Sequence, residues 1–449
     1  MIRPAALISR HRGVAIGIVA QMLQYGAALL LLPFIVTRLS PAEVGIWYVF
    51  VTIQGLATLA DFGFLPTIAR AVAAGYAGAS ELRREGLAEA EGAEVNLRLV
   101  KSVVAAARRL YLGLSLVVGV VLATAGLAYV SAVADATTLD LGHIQTAWLL
   151  FAAGTAANLY FLWLDPLLIG AGRVPQTYLL TIISRGGFAL LGIAVLLAGG
   201  GLVALALANL LSVVIARLVA VAMIRPIVRP LATIELAHEH RREVLAALWP
   251  NASKMGLVAI GAFLINRANL LVVSTVVGLG PSASYALSVQ ILGAIGAVAQ
   301  LPTQVVLPQL IAARVQRDRA RFRSLFLTRQ AFLLTAFAAA ALFMIVAGQW
   351  LLATIGSHVQ LLPQGLFLLL AVVQLLELNH SNCANIITTA NRVPFVKPAL
   401  ISGVAVVVLS VVSARAGLAV AGVILSQGLV QLAYNNWKWP LMLWKEVHE

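Results

Sequence analysis

The sequence predicts an all-α polytopic membrane protein of about twelve transmembrane helices in two halves. Three observations carry that expectation. About twelve apolar stretches have membrane-spanning length, basic residues fall almost wholly in every second gap between them, and a Pro-containing polar connection divides the chain at its middle. A run of about 20 apolar residues covers a hydrocarbon core of about 30 Å. Candidate spans lie near 14–37, 44–69, 110–132, 145–168, 175–198 and 201–224, then near 252–277, 283–309, 330–354, 361–390, 398–414 and 417–440.

Positively charged loops are retained on the cytoplasmic side. Arg3, Arg10 and Arg12 precede span one, Arg83, Arg84, Arg98, Lys101, Arg108 and Arg109 follow span two, and Arg314 to Arg329 contains six arginines after span eight. The opposite gaps hold only Arg38 and Arg415 and are short, the longest running from Ser131 to Ile144 with Asp135, Asp140 and His143. The expected location is therefore the bacterial inner membrane, multi-pass, with both termini cytoplasmic. The first apolar run is too long for a signal-peptide core and no small-residue cleavage site closes it, so it is expected to remain as a membrane helix.

A net charge of +14 would suggest nucleic acid in a soluble protein, but here it follows from the positive-inside bias and points to anionic membrane lipids rather than nucleic acid. Cys383 is the single cysteine, which excludes an intramolecular disulfide and fits a small helix-packing residue.

The connection from Arg225 to Pro250 carries Arg225-Pro226, Arg229-Pro230 and Trp249-Pro250, which are expected to end or redirect helix. It separates an N-terminal half (1–224) and a C-terminal half (251–449), with 225–250 as a cytoplasmic linker. A faint echo recurs 240 positions apart: Leu39-Ser40-Pro41 before Tyr48, and Leu279-Gly280-Pro281 before Tyr285. Both copies leave an odd-numbered span and turn outside, as parallel repeats would. Between Tyr76 and Arg109, acidic Glu81, Glu85, Glu89, Glu91 and Glu94 interleave with arginines, and the spacing of Glu94 and Arg98 predicts a solvated helix or an extension of span three.

Signatures of catalysis are absent. The chain has no Walker A sequence, no H-E-x-x-H and no G-x-S-x-G. His238-x-His240 beside Glu239 reads as a hydrated connection, so neither a metal site nor a cofactor is expected. Short external loops leave little room for a glycan polymerase or ligase, and the reading that remains is transport.

Charges inside a bilayer cost at least about 2.5–3.5 kcal/mol at mid-depth and usually face a cavity or a partner. Asp61, Asp165 and Glu377 lie within spans, against Arg70, Arg185, Arg217, Lys254 and Arg267. The cationic balance favours an anionic ligand. Arg267, in Asn266-Arg267-Ala268-Asn269, sits roughly 22 Å into span seven at 1.5 Å per residue, too deep to reach the cytoplasm easily. Arg185 lies mid-span beside Gly186-Gly187. Either can grip phosphate bidentately, or form an interhelical bond. Arg217 and Lys254 lie near the cytoplasmic face, where snorkelling explains them as well, and Asp165 before Pro166 suits a helix terminus.

Gly63 and Pro66 are positioned to break span two and bring Asp61 to Arg70 or Arg173, as a cytoplasmic gate or as a fixed brace. Span ten is the most polar: Gln374, Glu377, Asn379, His380, Ser381, Asn382 and Asn385 fall within about three turns. Glu377 and His380 share a face, as a proton relay or as a brace. Asn266 and Asn269, flanking Arg267, are expected to meet substrate with it, and Gln24 and Tyr25 in span one and Gln290 and Gln300 in span eight are candidates for sugar hydroxyls, or for interhelical bonding.

The run from Leu32 to Tyr48 (Leu-Pro-Phe-Ile-Val-Thr-Arg-Leu-Ser-Pro-Ala-Glu-Val-Gly-Ile-Trp-Tyr), followed by Leu59-Ala60-Asp61-Phe62-Gly63-Phe64 and Ala69-Arg70, resembles the opening of the polysaccharide flippases. These are the O-antigen and related exporters of the multidrug/oligosaccharidyl-lipid/polysaccharide superfamily. The resemblance implies two pseudo-symmetric six-helix lobes around a central cavity, working by alternating access. It implies movement of an undecaprenyl-diphosphate-linked oligosaccharide to the periplasmic leaflet, with polysaccharide-assembly proteins as candidate partners and a proton or sodium gradient left open as the driving force. Cationic residues would receive the diphosphate and polar ones the sugars, a picture that Arg267 and the polar face of span ten fit. This chain departs in span one, which carries no charge between Arg12 and Arg38. The rival within the superfamily is a multidrug exporter, in which acidic cavity residues would dominate.

Overall fold

The computed structural model describes residues 4–79, 94–135, 137–235, 239–390 and 393–448. Among them, ten helical runs are long and apolar enough to cross a membrane, and the pair Gly256–Asn266 and Ala268–Val277, bent by 46°, makes an eleventh. The last run, Val396–Glu446, has 51 residues, about 75 Å of helix and more than twice a bilayer core. It is interrupted at Gly417 (φ 92°) and Ala419 (φ 46°), so it counts as two spans and the total meets the expected twelve.

The chain forms two compact units, Met1–Phe34 with Ile53–Ala259 and Ile35–Thr52 with Ile260–Glu449. In the first, span four (Leu141–Gly170) packs along span six (Leu202–Leu231), and span three (Leu97–Asp135) lies against span four. Asn96 caps span three by accepting the Leu99 N–H at 3.0 Å, so Glu94 precedes the helix and the predicted Glu94–Arg98 helical pair does not form. Span three widens to a π turn at Leu122–Gly126. The Leu122 carbonyl, which accepts the Leu127 N–H within the π turn, also accepts from Trp148 Nε1 at 2.9 Å, and Gly126 makes room for the indole, since a Cβ there would lie 2.6 Å from the ring. In lipid, where burial drives association weakly, such close approach through small residues is what holds helices together. Outside the spans, Asp140 caps span four on the His143 N–H, and that bond and the nearby imidazole hold its carboxyl below the usual carboxylate range.

In the second unit, the run carrying the family resemblance is a helix start. Ser40 N–H and Oγ both donate to Glu43 Oε2 at 2.8 Å and the Glu43 N–H returns to Ser40 Oγ at 3.3 Å, a reciprocal capping box with Pro41 opening the helix. The two echoing segments meet here: Gly45 approaches so closely that a Cβ would lie 2.5 Å from the Leu279 carbonyl oxygen. His358 ties down the same hairpin, its N–H donating to the Val36 carbonyl at 2.7 Å.

Two local expectations are corrected. Pro226 lies inside the helix Leu202–Val228 and Pro250 inside Glu239–Asn266, because membrane helices absorb proline where neighbouring groups satisfy the freed carbonyls. Glu81 to Glu91, His238 and Arg392 lie outside the described residues, as do the side chains of His240, Tyr25 and Lys254.

Candidate functional site

Each unit carries a polar cavity within its spans. That of the first unit, about 370 Å³, is lined by Gln24, Asn158, Ser184, Arg185, Asn209 and Arg217 among others, from spans one, four, five and six. Span five opens into a π turn at Ile182–Gly186, and Arg185 sits within it. Such turns displace the backbone and recur at functional sites. Arg185 is exposed to the cavity, and among the described residues no hydrogen bond or ion pair engages it.

Arg217 has the opposite character. Its Nη1 reaches both carboxylate oxygens of Asp165 at 3.0 and 3.1 Å, while Nε and Nη2 both donate to Asn158 Oδ1 at 3.1 and 2.9 Å. The pair is largely buried, with side-chain exposures of 12% and 21%. This corrects the expectation of a snorkelling arginine and a helix-terminal aspartate: each neutralises the other across spans four and six. Asp165 being paired, the cavity retains one uncompensated positive charge, on Arg185. It also retains an unpartnered donor, since the Asn209 Nδ2 is buried with no hydrogen bond among the described residues.

The second unit's cavity, about 230 Å³, is lined by Asn266, Gln300, Gln374, Glu377 and Ser381 among others. Glu377 is 4% exposed, and its Oε1 has no hydrogen-bond partner among the described residues. His380 Nδ1 is 3.9 Å from that oxygen, too far for a hydrogen bond, and lies instead 2.8 Å from Asn436 Oδ1. Glu377 and His380 thus stand at ion-pair distance without a hydrogen bond, and the carboxyl, which lines the cavity, also lies beside the Gln431 amide.

Arg267 occupies the break in span seven, between Gly256–Asn266 and Ala268–Val277, and is exposed. Its neighbour Asn266 lines the second cavity. Asn269, expected to meet substrate, is fully buried: its Nδ2 donates to Gln427 at 3.0 Å and its Oδ1 accepts from Ser410 at 3.1 Å. Asn382 is likewise buried, donating to Gln330, which in turn donates to Asn379, at 2.7 and 2.6 Å. Both are braces because every polar group in a dry helix interface must find a partner. Gln290 is half-buried with a partner inside the protein. Span two breaks as expected, at Phe62 (φ 50°) and Gly63 (φ 74°), but Asp61 accepts from the Tyr111 hydroxyl of span three and from the backbone of Gly63 and Leu65. Its predicted ion pair with Arg70 or Arg173 is absent among the described residues, and Arg70 is exposed.

Sequence reasoning missed Asn158 and Asn209 in the first cavity and Gln330, Gln431 and Asn436 around span ten. The signal was available as isolated amides inside apolar runs.

No family model matches the chain and no curated protein matches it. Solved structures do. The chain is similar to a multidrug resistance MATE family transporter of the MOP superfamily in its inward-facing conformation, with a TM-score of 0.65 at 16% identity over 97% of this chain and 98% of that one. The outward-facing conformation of such a transporter aligns with a TM-score of 0.52 at 16% identity over 97% and 95%. A MOP superfamily transporter from Pyrococcus furiosus aligns at 0.51 and 15% identity over 98% and 96%. Identity this low carries the fold alone, and it carries it over nearly the whole length: the chain has the all-helical, two-lobe fold of the MATE transporters of the MOP superfamily.

Proposed function

We propose that this chain is a transporter working by alternating access, and that its substrate is an undecaprenyl-diphosphate-linked oligosaccharide moved between leaflets of the bacterial inner membrane. The observation that carries the reading is the Arg185 guanidinium, unpaired among the described residues, in a polar intramembrane cavity whose acidic lining among those residues, Asp165, is already bound to Arg217. A desolvated cation without a counter-ion is costly in a bilayer, and a diphosphate would supply the missing partner bidentately. The amides and hydroxyls around it, including the unpartnered Asn209 Nδ2, suit sugar hydroxyls. Arg267, exposed at the break of span seven, is the intramembrane cation we assign to substrate in the second unit. Glu377, buried in the wall of the second cavity beside His380, is the group we assign to coupling with a proton or sodium gradient. A relative with this fold, the Pyrococcus furiosus transporter, is described as having a binding pocket of reversed polarity that suggests a different function, which supports reading cavity charge as the determinant of substrate class.

The multidrug-exporter reading has its own support in Glu377, since a buried acid can hold a cationic drug. Proteoliposomes carrying a fluorescent undecaprenyl-diphosphate-linked oligosaccharide and a membrane-impermeant quencher distinguish the two. Accelerated exposure of the lipid, lost in Arg185→Gln and Arg267→Ala, is the expected result. No acceleration by folded protein, with expulsion of cationic dyes instead, overturns the flippase reading.

A further inference from the structure

A larger cavity, about 840 Å³, lies on the first unit away from the polar cavity, where span three meets the ends of spans four and six. Its lining includes Lys101, Arg108, Arg109, Trp163 and Glu235. Lys101 Nζ donates to the Ile234 carbonyl and ties span three to the end of span six. Arg108 and Arg109 are exposed and have no hydrogen-bond or ion-pair partner among the described residues. With Glu235 at the rim, the formal balance of the lining is positive. Trp163 is 8% exposed, and its Nε1 is buried without a hydrogen-bond partner among the described residues, so an indole donor waits in the wall of a cationic pocket.

The surface beyond the pocket suggests what fills it. Arg108, Leu112, Leu116 and Val120 follow at intervals of four and so share one face of span three. Leu112, Leu116 and Val120 are 44%, 61% and 62% exposed. Twelve residues of helix extend about 18 Å, close to the length of a phospholipid acyl chain. One face thus runs from paired arginines directly onto an uncovered apolar stripe.

We propose that this pocket binds one anionic phospholipid of the surrounding leaflet, its phosphate between Arg108 and Arg109 and hydrogen-bonded by Trp163 Nε1, its acyl chain along Leu112, Leu116 and Val120. The site is separate from the Arg185 cavity and does not depend on what that cavity transports. The stripe selects a lipid over a free phosphate, because only the lipid covers both the charge and the apolar surface.

Native mass spectrometry of the purified full chain, titrated with phosphatidylglycerol or phosphatidylcholine, tests the site. The wild type should retain one phosphatidylglycerol in preference to phosphatidylcholine. The double variant Arg108→Gln/Arg109→Gln should weaken that retention about thirtyfold, as expected for two interfacial arginines, while Arg319→Gln/Arg321→Gln leaves it unchanged. Trp163→Phe keeps the ring, removes the donor and should weaken retention on its own, which keeps the test decisive if the double variant does not fold. Undiminished retention in Trp163→Phe and in a folded double variant overturns the proposal. So does equal retention of the two lipids, or displacement of the phosphatidylglycerol by millimolar inorganic phosphate, which would mark a free-anion site.

Discussion

Replacing Arg185 with Gln and, separately, Arg217 with Gln removes the same charge from the same cavity, with opposite expected consequences. Arg217 makes four donor–acceptor contacts between 2.9 and 3.1 Å with Asp165 and Asn158. Its removal leaves a largely buried carboxylate uncompensated, a loss of about 3–5 kcal/mol. For a unit of this size, at about 2–4 °C per kcal/mol, the melting temperature should fall by about 10 °C. Arg185 has no hydrogen bond or ion pair to lose among the described residues, so Arg185→Gln should change stability by less than about 0.5 kcal/mol. Its cost should appear in binding instead: a charge-assisted contact to phosphate worth about 1.5–3 kcal/mol corresponds to about 10- to 150-fold in Kd. Thermal melts of purified protein, paired with tryptophan-fluorescence titrations against a short-chain polyprenyl diphosphate, read both quantities. Adding Asp165→Asn to Arg217→Gln should restore much of the stability, because the buried charge is then gone. Destabilisation of Arg185→Gln to the level of Arg217→Gln, or unchanged diphosphate affinity in Arg185→Gln, would refute the division of labour between the two arginines.

Glu377→Gln should abolish the response of lipid flipping to an imposed pH or sodium gradient while leaving diphosphate binding intact, as measured in the same proteoliposomes under matched gradients. Gln330→Ala strands the amides of Asn379 and Asn382 and should destabilise the second unit by about 2–4 kcal/mol, visible as a lower melting temperature with the cavity residues unchanged. Gly45→Ala drives a Cβ to within 2.5 Å of the Leu279 carbonyl oxygen; the overpacking should cost about 1–3 kcal/mol, and a melting temperature equal to wild type would mean that the two hairpins are free to move apart.

What the sequence determined by itself is the set of properties that depend on solvent alone. Span lengths and count follow from the cost of exposing backbone and charge to hydrocarbon, a cost that acts residue by residue and leaves its mark as periodless apolar runs. The break in span two at Phe62-Gly63 was legible for a similar local reason, the backbone freedom of glycine. Arg185, Gln24, Asn266, Gln300 and Glu377 were legible as polar groups within spans, each needing a cavity or a partner because neither charge nor amide is stable in hydrocarbon. Only the tertiary structure decided which polar groups were already spent. Arg217 and Asp165 are 52 positions apart, Asn269 and Gln427 158, and nothing local distinguishes a paired arginine from a free one. The same holds for Arg108 and Arg109, whose basic gap reads as topology until span four sets the Trp163 indole beside them. Pairing is a property of three-dimensional neighbours, and it is pairing that separates Arg185, left to meet a ligand, from Arg217, left to hold the lobe together.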